Sequence, residues 1–123
     1  MSGDAGPLVF IVTGEPSGDL LGARLMAALK DKLGGRVRFA GVGGENMAAE
    51  GLDSLFDMGD LAVMGLLEVV PRIPRVLRRV RETVAEIARL RPDVLVTVDS
   101  WGFTGRVNAR VRALGLPVAQ VHY

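Results

Sequence analysis

Residues 8–30, LVFIVTGEPSGDLLGARLMAALK, decide the fold. The opening LVFIVT is a continuous apolar, β-branched run, which predicts a strand covered on both faces, as in a parallel sheet. Over residues 19–33 the apolar side chains Leu21, Leu25, Leu29 and Leu33 recur at helical spacing, and Gly34 with Gly35 stops the stripe. GEPSGD, residues 14–19, lies between strand and helix. A glycine loop at that junction usually cradles a phosphate, yet this one holds two carboxylates, Glu15 and Asp19, and no lysine. Its glycines fit neither the P-loop nor the dinucleotide spacing. Carboxylates suit a neutral polyhydroxylated ligand better, because each oxygen accepts hydroxyl hydrogen bonds. Ser17 or Asp19 is also expected to cap the helix that follows.

Outward from this stretch, the pattern repeats. Residues 37–42 predict a second strand, closed by GVGGEN. Residues 47–50 predict one helical turn, and residues 52–56 a short third strand. DLAVMGLLEVVPRIP, residues 60–74, is apolar without alternation, and its two prolines are expected to break any long helix. Ile73, Val76, Leu77, Val80, Val84, Ile87 and Ala88 then trace an amphipathic helix to about Leu90. PDVLVTVD, residues 92–99, is a buried strand ended by Asp99. Residues 107–114 predict a helix, and GLPVAQVHY leads into a further strand. Strands alternating with helices define an α/β class with a parallel, Rossmann-like, doubly wound sheet. One domain over residues 8–123 is expected, after a disordered leader of residues 1–7.

Bulk properties narrow the function. The chain has 123 residues, a formal net charge of +1, 49% hydrophobic residues and no cysteine. One core is expected. A disulfide framework, a thiolate metal site and a cysteine nucleophile are excluded. MSGDAGP lacks the basic start and apolar core of a signal peptide. No apolar run reaches the ~18 residues of a membrane span. No His/Asp/Glu cluster has metal-ligand spacing, so no metal is expected.

In an open α/β sheet, ligands bind beyond the carboxyl ends of the strands. Three loops qualify: residues 14–19, 41–46 and 99–103. GVGGENM offers glycines for close backbone approach, or a plain strand-to-helix turn. Asp99 can serve as a general base toward an attacking hydroxyl, or bond its own turn amides. His122, the only histidine, and Trp101, the only tryptophan, each read as structural or as site residues. Arg72, Arg75, Arg78, Arg79 and Arg81 follow an apolar segment, a pattern of either an anionic-lipid interface or a solvated helix face. Nucleic acid is not expected, since no aromatics interleave the arginines. The dinucleotide fingerprint and the acidic pattern of a receiver module are both missing. A non-enzymatic α/β binding module is the reading from another class.

GEPSGDLLGARLMAALK, GVGGENMAAEG, LFDMGDLAVMGLLEVVPRIPRVLRRVRETV, RPDVLVTVDS and PVAQVHY, in this order and spacing, resemble the lipid-A-disaccharide synthase family from about Leu8 to Tyr123. The resemblance implies an inverting glycosyltransferase of the two-Rossmann-domain, GT-B type. Such an enzyme transfers diacylglucosamine from UDP-2,3-diacylglucosamine to 2,3-diacylglucosamine 1-phosphate, forming the β-1,6-linked lipid A disaccharide and UDP. It works without metal or cofactor, at the cytoplasmic face of the Gram-negative inner membrane, and the anionic membrane surface is a further partner. It implies Asp99 as the catalytic carboxylate. Substrate contacts fall on Glu15, Ser17, Gly18, Gly43, Gly44, Asn46 and Met64. Acyl-chain or membrane contacts fall on Leu67, Val69, Val70, Ile73, Val76 and Leu77, with Val80, Val84 and Ile87 left to the core. The family's usual Asp-x-Pro-x-Phe pattern reads DSWGF here, with Trp101 in the proline's place. Family chains are longer and hold uridine diphosphate mainly on a carboxyl-terminal domain, absent from this sequence. The chain alone is therefore expected to be inactive. Another two-domain UDP-sugar glycosyltransferase is the nearest alternative.

Overall fold

The structure, a computed structural model, describes residues 6–61, 66–98 and 101–123, with backbone alone for residues 66–73 and 101. Four strands, β1 (Leu8–Thr13), β2 (Arg38–Val42), β3 (Val94–Val98) and β4 (Ala119–His122), form one parallel sheet in the order β2-β1-β3-β4. Between them run helices α1 (Pro16–Lys32), α2 (Glu45–Ala49), α3 (Leu66–Leu90) and α4 (Trp101–Ala113), with a 3-10 turn at Met58–Leu61.

The period of two along β1 sorts its side chains to opposite faces. Val9 and Ile11 pack with Ala23, Met26 and Met47 under α1 and α2. Phe10 and Val12 pack with Val80, Val84, Ile87, Val107 and Val111 under α3 and α4. Every residue of β1 is buried, as a doubly covered parallel strand requires. The expected α/β class and doubly wound arrangement hold.

Several local expectations are corrected. Residues 52–56 form no strand. Leu55 N–H reaches Gly41 O at 2.8 Å, but Ser54 Oγ turns the chain by accepting from Gly43 N–H and donating to Phe56 O. Leu52 and Phe56 serve as buried anchors of a loop. The prolines do not break the long helix: α3 begins at Leu66 and continues past Pro71 and Pro74. Each proline forfeits one backbone bond, while Val80, Val84 and Ile87 hold the helix to the core, each buried apolar side chain contributing ~1.5–3 kcal/mol. Ala88 lies on the exposed side. Helix α1 starts at Pro16, with proline in the first turn where its missing N–H costs nothing. Its deepest line is Gly18, Asp19, Gly22, Ala23 and Met26, whereas Leu33 is exposed. Helix α2 spans Glu45–Ala49 instead of residues 47–50, and α4 starts at Trp101 instead of residue 107. Of the expected leader, residues 1–5 lie outside the described residues. Gly6 and Pro7 do not: Arg38 donates to Gly6 O from its side chain and to Pro7 O from its backbone.

Candidate active site at the carboxyl edge of the sheet

The strand order turns between β1 and β3, since β2 lies to one side of β1 and β3, β4 to the other. Such a switch point opens a crevice beyond the strand ends. The register pairs Thr13 with Val98, the last residues of β1 and β3. GEPSGD therefore leaves the sheet beside the strand that leads in sequence to Asp99. Asp99 itself and Met64 lie outside the described residues, as does the Trp101 side chain.

Glu15 is exposed and extended (φ −140°, ψ 155°), at the N-cap of α1 with no side-chain cap bond. Ser17 is exposed in the first turn. Gly18 is buried against the strand ends: a Cβ there would sit 3.3 Å from both Thr13 Cβ and Val98 O. The first turn of α1 thus rests on the seam between β1 and β3, with Glu15 and Ser17 on its rim.

Neither Ser17 nor Asp19 caps α1. Asp19 is 3% exposed, and its carboxylate serves another element. Oδ1 accepts from Gly44 N–H (2.8 Å) and Met47 N–H (3.0 Å); Oδ2 accepts from Asn46 N–H (2.9 Å) and Asn46 Nδ2 (3.1 Å). The first-turn amides of α2, which in other folds meet a phosphate, are filled by this internal carboxylate. That answers part of why the glycine loop holds acid. The glycines of GVGGEN likewise have packing reasons. A Cβ on Gly44 would come within 2.8 Å of Asp19 Oδ2, and one on Gly43 within 2.5 Å of Met47 Sδ. Gly41, at φ +137°, would place a Cβ 1.9 Å from Ile11 O. Asn46 is exposed, with its amide directed to Asp19.

A polar relay supports the same edge and had no signal in the sequence. Asn108 Nδ2 on α4 donates to the buried Thr97 Oγ1 on β3 (2.8 Å), which lies 2.8 Å from His122 Nδ1 on β4. Gln120 Nε2 donates to both Asn108 O and Asn108 Oδ1 at 3.1 Å. His122 is thereby tied to the strand that leads to Asp99. A shallow cavity of about 200 Å³ lies against this relay, lined by Gly105, Asn108, Arg112, Gln120 and His122 among others.

Of the expected acyl-contact residues, the side chains of Leu67, Val69, Val70 and Ile73 lie outside the described residues. Val76 packs against the core and is half-buried, while Leu77 is 37% exposed. The arginine run divides too. Arg79 pairs with Asp60 and with Glu82 (2.8 Å), and its guanidinium lies 4.6 Å from the Phe56 ring centroid. Phe56 meets Phe103 edge-to-face at 6.1 Å. Hydrogen bonding from Arg79 holds the Asp60 carboxyl below its usual range. Arg75, Arg78 and Arg81 are exposed. Among the described residues no three His, Asp or Glu side chains gather as a metal site, and no helix is long and apolar enough to cross a membrane.

A parallel sheet with its switch point between β1 and β3 is a Rossmann-like α/β fold. The crystal structure of Acinetobacter baumannii MurG shares it, with a TM-score of 0.54 at 12% identity over 94% of this chain and 34% of that one. Residues 9–123 match the lipid-A-disaccharide synthetase family, and the chain belongs to that family. It is 62% identical over 116 residues to the lipid-A-disaccharide synthase of Paramagnetospirillum magneticum, a match covering 94% of this chain and 30% of that protein. To the synthase of Rhodospirillum centenum it is 48% identical, covering 94% and 29%. The chain thus spans about 30% of the length of these curated relatives.

Proposed function

We propose that this chain forms the acceptor-side, Rossmann-like part of an inverting glycosyltransferase that makes the lipid A disaccharide. The observation that carries the reading is the Thr13–Val98 register, which sets the Glu15–Ser17 rim beside the strand leading to Asp99 at the switch point. Glu15 and Ser17 bind sugar hydroxyls. Asp99 takes the proton from the 6-hydroxyl of 2,3-diacylglucosamine 1-phosphate as that oxygen attacks the anomeric carbon of UDP-2,3-diacylglucosamine. UDP leaves from the opposite face, so one displacement inverts the centre. An unperturbed aspartate, with a pKa of ~3.9, is a weak base. Burial can raise it, or the proton can leave late, when attack has made the hydroxyl acidic. The donor's diphosphate is held by a carboxyl-terminal domain beyond the matched region, which fits a rim loop that presents Glu15 and no lysine. Neither metal nor cofactor takes part. Leu77 and the apolar residues preceding it, flanked by Arg75, Arg78 and Arg81, meet acyl chains and the anionic inner face of the cytoplasmic membrane.

The test grafts residues 8–123 in place of the corresponding segment of the Paramagnetospirillum magneticum synthase, the two being 62% identical over the matched region. Mass spectrometry should detect disaccharide and UDP from the graft and none from the isolated chain. Asp99→Ala in the graft should lower turnover at least ~100-fold, within the range general-base catalysis supplies. Turnover by the isolated chain, or an Asp99→Ala graft as active as the parent, would overturn the assignment.

A further inference from the structure

We infer that Asp19 is a positioning residue that holds the two glycine loops of the site at a fixed separation. The inference rests on the functional reading above. Asp19 lies one helical turn after Glu15 on α1, and its backbone N–H donates to Glu15 O at 2.9 Å. Its side chain makes four hydrogen bonds, all to Gly44, Asn46 and Met47. None of the ion pairs among the described residues includes it. One side chain therefore connects the segment bearing Glu15 and Ser17 to the segment bearing Gly43, Gly44 and Asn46.

Packing alone does not require a carboxylate here. Burying a charge costs free energy that apolar contact would avoid. What the carboxylate adds is direction. Apolar contact is non-directional and lets surfaces slide, whereas N–H donors converging on two oxygens fix distance and angle together. The glycines around it serve the same closeness. Gly44 has no room for a Cβ beside Asp19 Oδ2, and a Cβ on Gly22 would stand 2.6 Å from Met47 Sδ. Behind them Gly18 seats α1 on Thr13 and Val98. The GVGGEN loop is thus referred, through Asp19 and α1, to the β1–β3 seam from which the chain continues to Asp99. Ground-state binding tolerates a shift of a few tenths of an ångström better than the reaction does, because misplacing a positioned group by 1 Å can cost ~100-fold in rate.

Asp19→Asn tests this with little change of volume. The retained oxygen can still accept from Gly44 N–H and Met47 N–H. The new amide can satisfy the Asn46 side chain if that side chain turns over, but it leaves Asn46 N–H facing a donor. Two measurements are made. In the chain itself, amide hydrogen exchange at Gly44, Asn46 and Met47 and the melting temperature are followed. In the graft, kcat and the KM for acceptor are determined. Positioning predicts faster exchange at Asn46, melting within about 5 °C of the parent, kcat lower by at least 10-fold and KM changed by less than threefold. An unchanged kcat in a folded variant would overturn the inference, and so would a loss confined to KM. If Asp19→Asn does not fold, Asp19→Glu carries the test. It keeps the carboxylate but moves its oxygens by one methylene against Gly44, Asn46 and Met47, so kcat should fall at least 10-fold with the KM for acceptor changed by less than threefold; a folded Asp19→Glu variant with the parent's kcat would overturn it. A parent graft that makes no disaccharide sinks the functional reading, and this inference with it.

Discussion

Thr97→Val probes the support beneath the site. Thr97 is fully buried on β3, and valine reproduces its shape while deleting the hydroxyl. Three groups lose a partner: Asn108 Nδ2 and His122 Nδ1, each 2.8 Å from Thr97 Oγ1, and Val121 O, which accepts from it at 3.5 Å. His122 is exposed, so water can replace the hydroxyl there. Asn108 is 8% exposed, so its amide is left with a donor that water reaches poorly. The cost is that of one unsatisfied buried polar group, ~1–3 kcal/mol. For a domain of this size that corresponds to roughly 4–12 °C in melting temperature, at about 4 °C per kcal/mol. Thermal denaturation followed by circular dichroism measures it. A cycle with Asn108→Leu isolates the pair, and the double variant should be less destabilised than the sum of the singles by ~1 kcal/mol. A Thr97→Val protein melting within 1 °C of the parent, or strict additivity in the cycle, would refute the argument that the relay is a buried, mutually satisfied unit.

Other perturbations follow from the same geometry. Gly22→Ala drives a methyl toward Met47 Sδ, 2.6 Å away, and should cost ~1–3 kcal/mol in urea denaturation; Met47→Val in the same chain should recover part of it. Asp60 has its folded pKa lowered below 3.8 by Arg79, so its contribution is present above that value and lost as pH falls through the folded pKa. Acid titration of stability should therefore be shallower in Asp60→Asn below about pH 4, and equal acid slopes would count against the pair. Replacing Arg75, Arg78 and Arg81 together by serine should weaken binding of the graft to phosphatidylserine vesicles by roughly 100-fold, at about 1 kcal/mol per arginine near a charged surface. Replacing Arg79, already paired to Asp60 and Glu82, should lower the melting temperature instead.

What the sequence exposed and what it concealed divide along one physical line. Strands β1 and β3 were legible because a strand covered on both faces needs an unbroken apolar run, as LVFIVT and VLVTV are. The lower half of α3 was legible because Val80, Val84 and Ile87 repeat with the helical period. Each of these signals lies within one element. The start of α3 was misread because proline's local preference was weighed without the tertiary anchoring further along the same helix. Residues 52–56 were misread because an apolar residue at each end of a loop, Leu52 and Phe56, looks like a short strand when the loop's hydrogen bonding cannot be seen.

The site was legible only as a place. The order of strands and the loops at their ends point to one sheet edge, and the Thr13–Val98 pairing agrees. The division of labour within that edge was not legible, because it depends on contacts between residues far apart in sequence. GEPSGD presents two acids four positions apart, and local position offers Asp19 only a cap on its own helix. Folding separates them. Glu15 stays exposed at the rim, while Asp19 turns inward to amides 25 to 28 residues away. The same holds for the histidine, whose tie to Thr97 spans 25 residues, and for Arg79, drawn out of a basic run by Asp60 19 residues before it. An acid in a glycine loop thus has two possible addressees, a ligand or a neighbouring helix, and only three-dimensional contact assigns them. Here the assignment leaves Glu15, and not Asp19, as the carboxylate of this loop exposed at the rim.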